Sequence, residues 1–194
     1  MRVAVVGNGT SLLRLKKGEE IDSHDIIIRI NEYYKFMDST ITGNRTTYWA
    51  NSFPTYNWID PKNYIGIWLT RQEDWDLQPN DNWKIPEWAK EKIVLERPDQ
   101  LLYELEILFN KLGGRCAPTT GDATIDTARR KYRNDTINLY GFDFYEPCGH
   151  YYNTDKNNIA GTPRTHNATA SKMYTLQLVA ENKNINIIRE NNEA

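Results

Sequence analysis

Asparagine carries the first chemical signal in this 194-residue chain. Its carboxamide can donate to a phosphate or ribose oxygen while accepting from a base. It recurs at three places where an apolar run stops: Asn8 within Gly7-Asn8-Gly9-Thr10, Asn31 closing Asp25–Asn31, and Asn51 closing Arg45–Asn51. At any one of these, turn chemistry would suffice. Three together point to a polar ligand. Pro118-Thr119-Thr120-Gly121 adds two hydroxyls ahead of a helical stretch, and Gly141–Tyr152 contains Tyr145, His150 and Tyr151. His166 stands just before a last helical run. Taken alone, His166 reads more simply as a helix-start residue and His150 as a packed loop residue. The third histidine, His24, is expected to be structural, paired with Asp22 or Asp25.

These residues need elements to position them. Val3–Gly7 and Asp25–Asn31 are short apolar runs of the kind buried in parallel sheets. Arg45–Asn51, Tyr64–Thr70, Lys92–Glu96, Thr136–Phe144 and Ile185–Glu190 extend the set of strands. Thr10 or Ser11 can cap a first short helix that Gly18 ends. Pro98–Leu112 places leucines at 101, 105, 108 and 112 and stops at a Gly-Gly pair, which predicts a helix. Thr120–Tyr132 and Ala168–Asn182 predict two more. Strands alternating with long crossovers give an α/β fold, a single Rossmann-like doubly wound and mostly parallel sheet spanning 1–194 as one domain. In such a sheet the ligand lies beyond the carboxyl ends of the strands, where the asparagines, Gly7, Thr119, Thr120 and Gly121 fall. All six tryptophans lie between Trp49 and Trp88. The simplest role for them is to pack an irregular excursion onto the sheet; the alternative is an acceptor platform, since indole faces suit sugar rings.

The totals exclude several classes. A net charge of −2 argues against a dedicated nucleic-acid binder. Mean hydropathy of −0.72, with no long apolar run, argues against a membrane span. Cys116 and Cys148 are too few for a disulfide framework. With no leader before the first strand, a reducing, cytoplasmic setting is expected. Gly7-Asn8-Gly9 lacks the third glycine of a dinucleotide fingerprint and the Gly-Lys-Ser/Thr of a P-loop. No acidic cluster of the Mg²⁺-holding kind stands at the strand ends, so a ligand phosphate is expected to be neutralised without metal or cofactor.

A resemblance then becomes specific. Val5–Asn31, with Gly-Asn after its strand, Glu-Ile-Asp-Ser-His-Asp and Arg-Ile-Asn, resembles the first long motif of animal-type sialyltransferases. Ala117–Gly121 followed by Ile137–Phe144 resembles their second motif, Gly149–Tyr152 their His-Tyr-Tyr motif, and His166–Tyr174 the segment holding their last histidine. The later half also resembles bacterial capsule and lipooligosaccharide sialyltransferases, through Gly141-Phe-Asp-Phe-Tyr145 and Tyr151. The resemblance implies a GT-A-variant-like glycosyltransferase that moves sialic acid from CMP-sialic acid to a glycan hydroxyl, inverting the anomeric centre without a metal. It implies donor contacts at Gly7, Asn8, Asn31, Asn51, Thr119, Thr120, Gly121 and Tyr145. It makes His166 the base and gives His150 and Tyr151 the departing phosphate. CMP-Kdo is the alternative donor, and a non-catalytic nucleotide- or glycan-binding module of the same fold the alternative role. The pattern is not complete. Where animal-type enzymes carry a glutamate five residues after the last histidine, this chain has Ser171. Short, and without anchor or paired cysteines, it resembles a bacterial or viral form. The acceptor and the oligomeric state are not specified.

Overall fold

The computed structural model describes residues 1–51, 60–69, 87–96, 107–108, 110–111, 118–144 and 167–189. Seven short apolar runs form one sheet: β1 (Arg2–Val6), β2 (Ile26–Ile30), β3 (Tyr48–Asn51), β4 (Gly66–Leu69), β5 (Ile93–Glu96), β6 (Thr136–Tyr140) and β7 (Ile185–Ile187). Their order is β5-β4-β3-β2-β1-β6-β7, and every described pairing is parallel. The predicted doubly wound sheet is therefore the observed one. Each predicted strand is present, and Thr136–Phe144 is a strand that runs into a loop after Tyr140. Gly141 ends it by taking φ +68, a left-handed conformation that breaks the pleat.

The central strand is apolar on both faces because both are covered. Val3 and Val5 join Ile28, Ile30, Ile137 and Leu139 on one face. Helices α4 (Thr120–Lys131) and α5 (Ala168–Glu181) cover them with Ile125, Ala128, Ala170, Tyr174 and Leu178. Ala4 and Val6 pack on the other face with Leu12 and Ile21, from α1 (Ser11–Leu15) and α2 (Gly18–Asp22). A third cluster, toward β4, gathers Tyr33, Trp49, Ile67, Leu69 and Ala89, the last from the one-turn helix α3 (Glu87–Lys90). Trp49 and Trp68 are wholly interior and Trp88 stacks on Trp49, so these three tryptophans do pack onto the sheet. Trp58, Trp75 and Trp83 lie outside the described residues, as does most of the predicted helix Pro98–Leu112. Within that stretch Leu108 is helical and packs against the first cluster.

The first helix departs from expectation. It ends at Leu15, where Lys16 turns left-handed and its N–H caps back onto the Leu12 carbonyl. Gly18 starts α2 and does not stop α1, because a Cβ there would run into the Ser39 carbonyl and the Gly43 amide. The apolar strand β2 also buries a charge. Arg29 is fully interior, and it donates from Nε to the Arg45 carbonyl (2.9 Å) and from Nη2 to the Thr42 carbonyl (2.7 Å). Asp22 lies 3.8 Å from the same Nη2, so the cation is met by carbonyls and by a carboxylate.

Two carboxylates stitch α4 to α5. Asp126, 1% exposed, accepts from Tyr174 Oη (2.9 Å), Arg129 Nη2 (2.6 Å) and Arg130 Nε (3.0 Å). Asp122 accepts from Ser171 Oγ at 2.8 Å. Tyrosines around this layer are held in their protonated form. Burial, then the neighbouring Tyr48, pushes the Tyr132 phenol up to about 12. Burial and then Asp126 push Tyr174 up as well. A folded phenol raised above its unfolded value of 10 leaves stability intact below that pH and removes it as pH rises toward the folded value. Unfolding free energy is therefore expected to be level near neutral pH and to fall from pH 10 toward 12. Tyr132→Phe should reduce that slope, measured by urea titration at fixed pH; an unchanged alkaline slope would rule out Tyr132 as a contributor.

Candidate functional site

The strand order reverses between β1 and β6, and open α/β sheets take their ligands outside the carboxyl ends of the strands at such a point. The turn after β1 and the turn after β6 meet here through backbone alone. Gly7 N donates to the Tyr140 carbonyl at 2.8 Å and Gly9 N to the Gly141 carbonyl at 2.9 Å. A Cβ on Gly7 would sit 2.5 Å from the Gly141 oxygen, so glycine is a steric requirement. Phe142 extends the junction. Its ring lies where a Cβ on Gly7 would reach it at 3.4 Å, and one on Gly121 at 3.2 Å. The turn after β1, the turn after β6 and the start of α4 thus share one junction.

The opening of α1 already holds an anion, and it belongs to the chain. Asp143 accepts from Ser11 N (2.7 Å), Thr10 Oγ1 (3.4 Å) and the Ser11 hydroxyl. The start of α1 is therefore occupied by the chain's own carboxylate, and Asn8 lies just ahead of it in sequence. Its Nδ2 donates to the Ile30 carbonyl at 3.0 Å, which fixes the amide orientation, since a carbonyl only accepts. Oδ1 is buried and has no hydrogen-bond partner among the described residues. The atom that Asn8 has to offer is an acceptor, suited to a ribose hydroxyl and unsuited to a phosphate. Asn31 stands at the end of β2 with φ +51, its N–H on the Ala50 carbonyl (2.9 Å) and its own carbonyl receiving Trp49 Nε1 (2.7 Å). Asn51 ends β3 and is buried. Because β1, β2 and β3 are neighbours, the three predicted asparagines form one polar lip.

Thr119, Thr120 and Gly121 open α4. Thr119 is its N-cap in a full capping box: its Oγ1 accepts from Asp122 N (3.0 Å), while its own N–H donates to Asp122 Oδ2 (2.8 Å). The same hydroxyl donates to Asp122 Oδ2 (2.8 Å), so Thr119 serves the helix first. Thr-x-x-Asp is a readable capping signal in the sequence, and it should have marked Asp122 as a site residue. Ser171 Oγ on Asp122 joins the first turn of α5 to this point, and Asn167 caps α5 by accepting from Ala170 N (3.0 Å). His166 directly precedes that cap in sequence. His166, His150, Tyr151 and Tyr145 themselves lie outside the described residues.

His24 is structural, as expected, but its partners are not Asp22 or Asp25. Nδ1 meets the Glu20 (2.8 Å) and Ile21 (3.2 Å) carbonyls, and Nε2 meets Asn138 Nδ2 at 2.9 Å. The amide donor at Nε2 and the carbonyls at Nδ1 assign the neutral Nδ1–H tautomer. Glu20 is half-buried and turned inward, accepting from Tyr140 Oη at 2.8 Å. Burial opposes its charge, yet hydrogen bonds from Lys17 and Tyr140 hold its carboxyl below the usual carboxylate range. Among the described residues no group of three or more His, Cys, Asp or Glu could hold a metal ion. One Asp-x-Asp, Asp74-Trp75-Asp76, lies outside them, and it is an acidic pair that the metal-free expectation overlooked.

The junction makes a paired prediction. Gly7→Ala should cost about 1–3 kcal/mol of stability, as overpacking against fixed backbone does. Gly121→Ala, whose Cβ would meet only side-chain atoms at 3.2 Å, should change it by less than about 1 kcal/mol. Urea midpoints of the two variants check this, and equal costs would refute the close approach at Gly7.

Comparison with known proteins agrees with this arrangement. Residues 1–57, which hold the β1 turn and all three asparagines, match the model of glycosyltransferase family 29 (sialyltransferase). The human type 2 lactosamine alpha-2,3-sialyltransferase is 27% identical over 97% of this chain, and the human alpha-N-acetylgalactosaminide alpha-2,6-sialyltransferase 2 is 26% identical over 78%. The chain spans 65% of the first relative's length and 51% of the second's. Among solved structures, a mammalian sialyltransferase in complex with Gal-beta-1-3GalNAc-ortho-nitrophenol superposes with TM-score 0.64 at 20% identity, covering 97% of this chain and 69% of that one. CstII of Campylobacter jejuni, in complex with the substrate analogue CMP-3FNeuAc, gives 0.57 at 14% identity, covering 98% and 82%. In sequence this chain is similar to sialyltransferases, and it shares their fold.

Proposed function

We propose that the chain transfers sialic acid from CMP-sialic acid to a glycan hydroxyl, as an inverting glycosyltransferase needing no metal or other cofactor. The observation that carries this reading is the coincidence of two independent ones. The segment matching the sialyltransferase family model, 1–57, is the segment that builds the polar lip at the sheet's switch point. Asn8 Oδ1, buried and unpartnered, supplies the acceptor that a ribose hydroxyl of the CMP moiety would satisfy. Asn31 and Asn51 continue that lip along the nucleotide, and Thr120 and Gly121 present the start of α4 to the sugar.

The reaction forms a bond from the acceptor oxygen to the anomeric carbon. It breaks the bond from that carbon to the phosphate oxygen, whose electron pair leaves with CMP. His166 takes the acceptor proton, a role supported by the resemblance of His166–Tyr174 to the segment holding the last histidine of animal-type enzymes. His150 and Tyr151, with Tyr145, donate to the departing phosphate, where negative charge grows in an oxocarbenium-like transition state. In the place of the glutamate of animal-type enzymes, Ser171 bonds Asp122, so the carboxylate beside this turn of α5 comes from α4. Two cysteines in 194 residues support a reducing, cytoplasmic setting. No helix among the described residues is long and apolar enough to cross a membrane.

The test is CMP release from CMP-sialic acid with and without a simple galactoside, with CMP-Kdo run in parallel and His166→Ala as the control. Release that rises with the acceptor and falls by about two orders of magnitude or more in the variant is expected for loss of a general base. Turnover of CMP-Kdo alone would reassign the donor. Tight CMP binding with no release from either donor would make the chain a binding module.

A further inference from the structure

A second polar site lies at the opposite end of the sheet, where α4 runs out and β6 and β7 begin. Arg129, Arg130, Arg133, Asn182 and Asn184 line an open cavity of about 350 Å³, a volume within the usual range for small-ligand sites. Three of these are arginines, and no acidic residue is among the described residues that line it. Two of the arginines have a structural task, since each gives one nitrogen to the buried Asp126 carboxylate. Positive charge also suits the carbonyl end of α4. Neither task accounts for the whole set. Arg129 Nε is buried and meets no hydrogen-bond partner among the described residues. Arg133 lies beyond the Tyr132 cap, is exposed, and makes no ion pair among the described residues. The asparagines are fixed in place by their amides: Asn182 Nδ2 donates to the Leu178 carbonyl (2.7 Å), and Asn184 Nδ2 to the Asp135 carbonyl (2.7 Å).

We propose that this arginine cavity binds the phosphate group of a multiply charged phosphorylated ligand, at a site separate from the cleft at the β1–β6 switch point. Guanidinium forks match phosphate oxygens in pairs. The group reaches the cavity either as a soluble phosphate compound or on a lipid headgroup.

Pyrophosphate titration by calorimetry, with saturating CMP present to occupy the other cleft, tests the site directly. Saturable binding is expected for the native chain, about tenfold weaker in Arg133→Ala and lost in Arg133→Glu, with affinity falling as salt is raised. Both substitutions fall on an exposed side chain outside the switch-point cleft, and unchanged urea midpoints would confirm intact folding. Sedimentation with phosphatidylcholine vesicles, with and without phosphatidylinositol bisphosphate, separates the two sources. Arg133-dependent capture by the anionic vesicles assigns the headgroup, and Arg133-dependent pyrophosphate binding without capture assigns a soluble ligand. No binding of either probe to the native chain, or equal binding to Arg133→Glu, would overturn the proposal. These outcomes do not depend on sialyl transfer, because Arg133→Glu reports on the cavity whether or not CMP binds.

Discussion

Everything at the switch point depends on how closely the chain can pass itself between β1 and β6. Gly7 and Gly141 bring two backbone turns into hydrogen-bonding contact, which leaves no room for a side chain between them. This contact lets Asp143 reach the start of α1, and Phe142 reach both Gly7 and Gly121. It also leaves Asn8 enclosed, with one amide group committed and the other unsatisfied. A polar atom left without a partner in a packed wall is costly to the fold unless something else completes it. Here the steric constraint on two glycines becomes an electrostatic feature of the cleft.

The same economy governs charge in the helical layer. Asp122 and Asp126 lie one turn apart on the face of α4 that looks onto α5, and each receives a hydroxyl across the interface, from Ser171 and Tyr174. Burying two carboxylates is tolerable because hydroxyls, a backbone N–H and two guanidiniums donate to them. The interface is thereby specified by hydrogen-bond geometry as well as by apolar contact, which fixes the first turn of α5 relative to the first turn of α4.

Much of this was legible in the sequence. The strands are apolar runs cut off by polar residues, so their number and parallel arrangement followed from pattern alone. The asparagines at three strand ends drew attention to the right edge of the sheet. What escaped depended on distant partners. His24 is held by Asn138, 114 residues away, and no local pattern reports that. Glu20 is turned inward by Tyr140, 120 residues away, which local pattern does not report either. Asp143 read as part of a loop motif, yet it caps a helix 132 residues earlier. Gly18 was read by the ordinary rule for helix ends, but its role is to let the segment near Ser39 pass close by. Thr119 is the exception, since its capping box was written locally and could have been found.

The strand order has a consequence for how the protein comes to exist. β1 is made first and gains β2 as a neighbour within about thirty residues, but its other partner, β6, arrives only after more than a hundred more. Throughout that interval the most apolar strand of the sheet presents one open edge. An unpaired edge of that kind templates wrong pairings between chains. The segment that matches the family model is therefore also the one unable to complete its cleft by itself, and the nascent protein needs its edge shielded until β6 has been made.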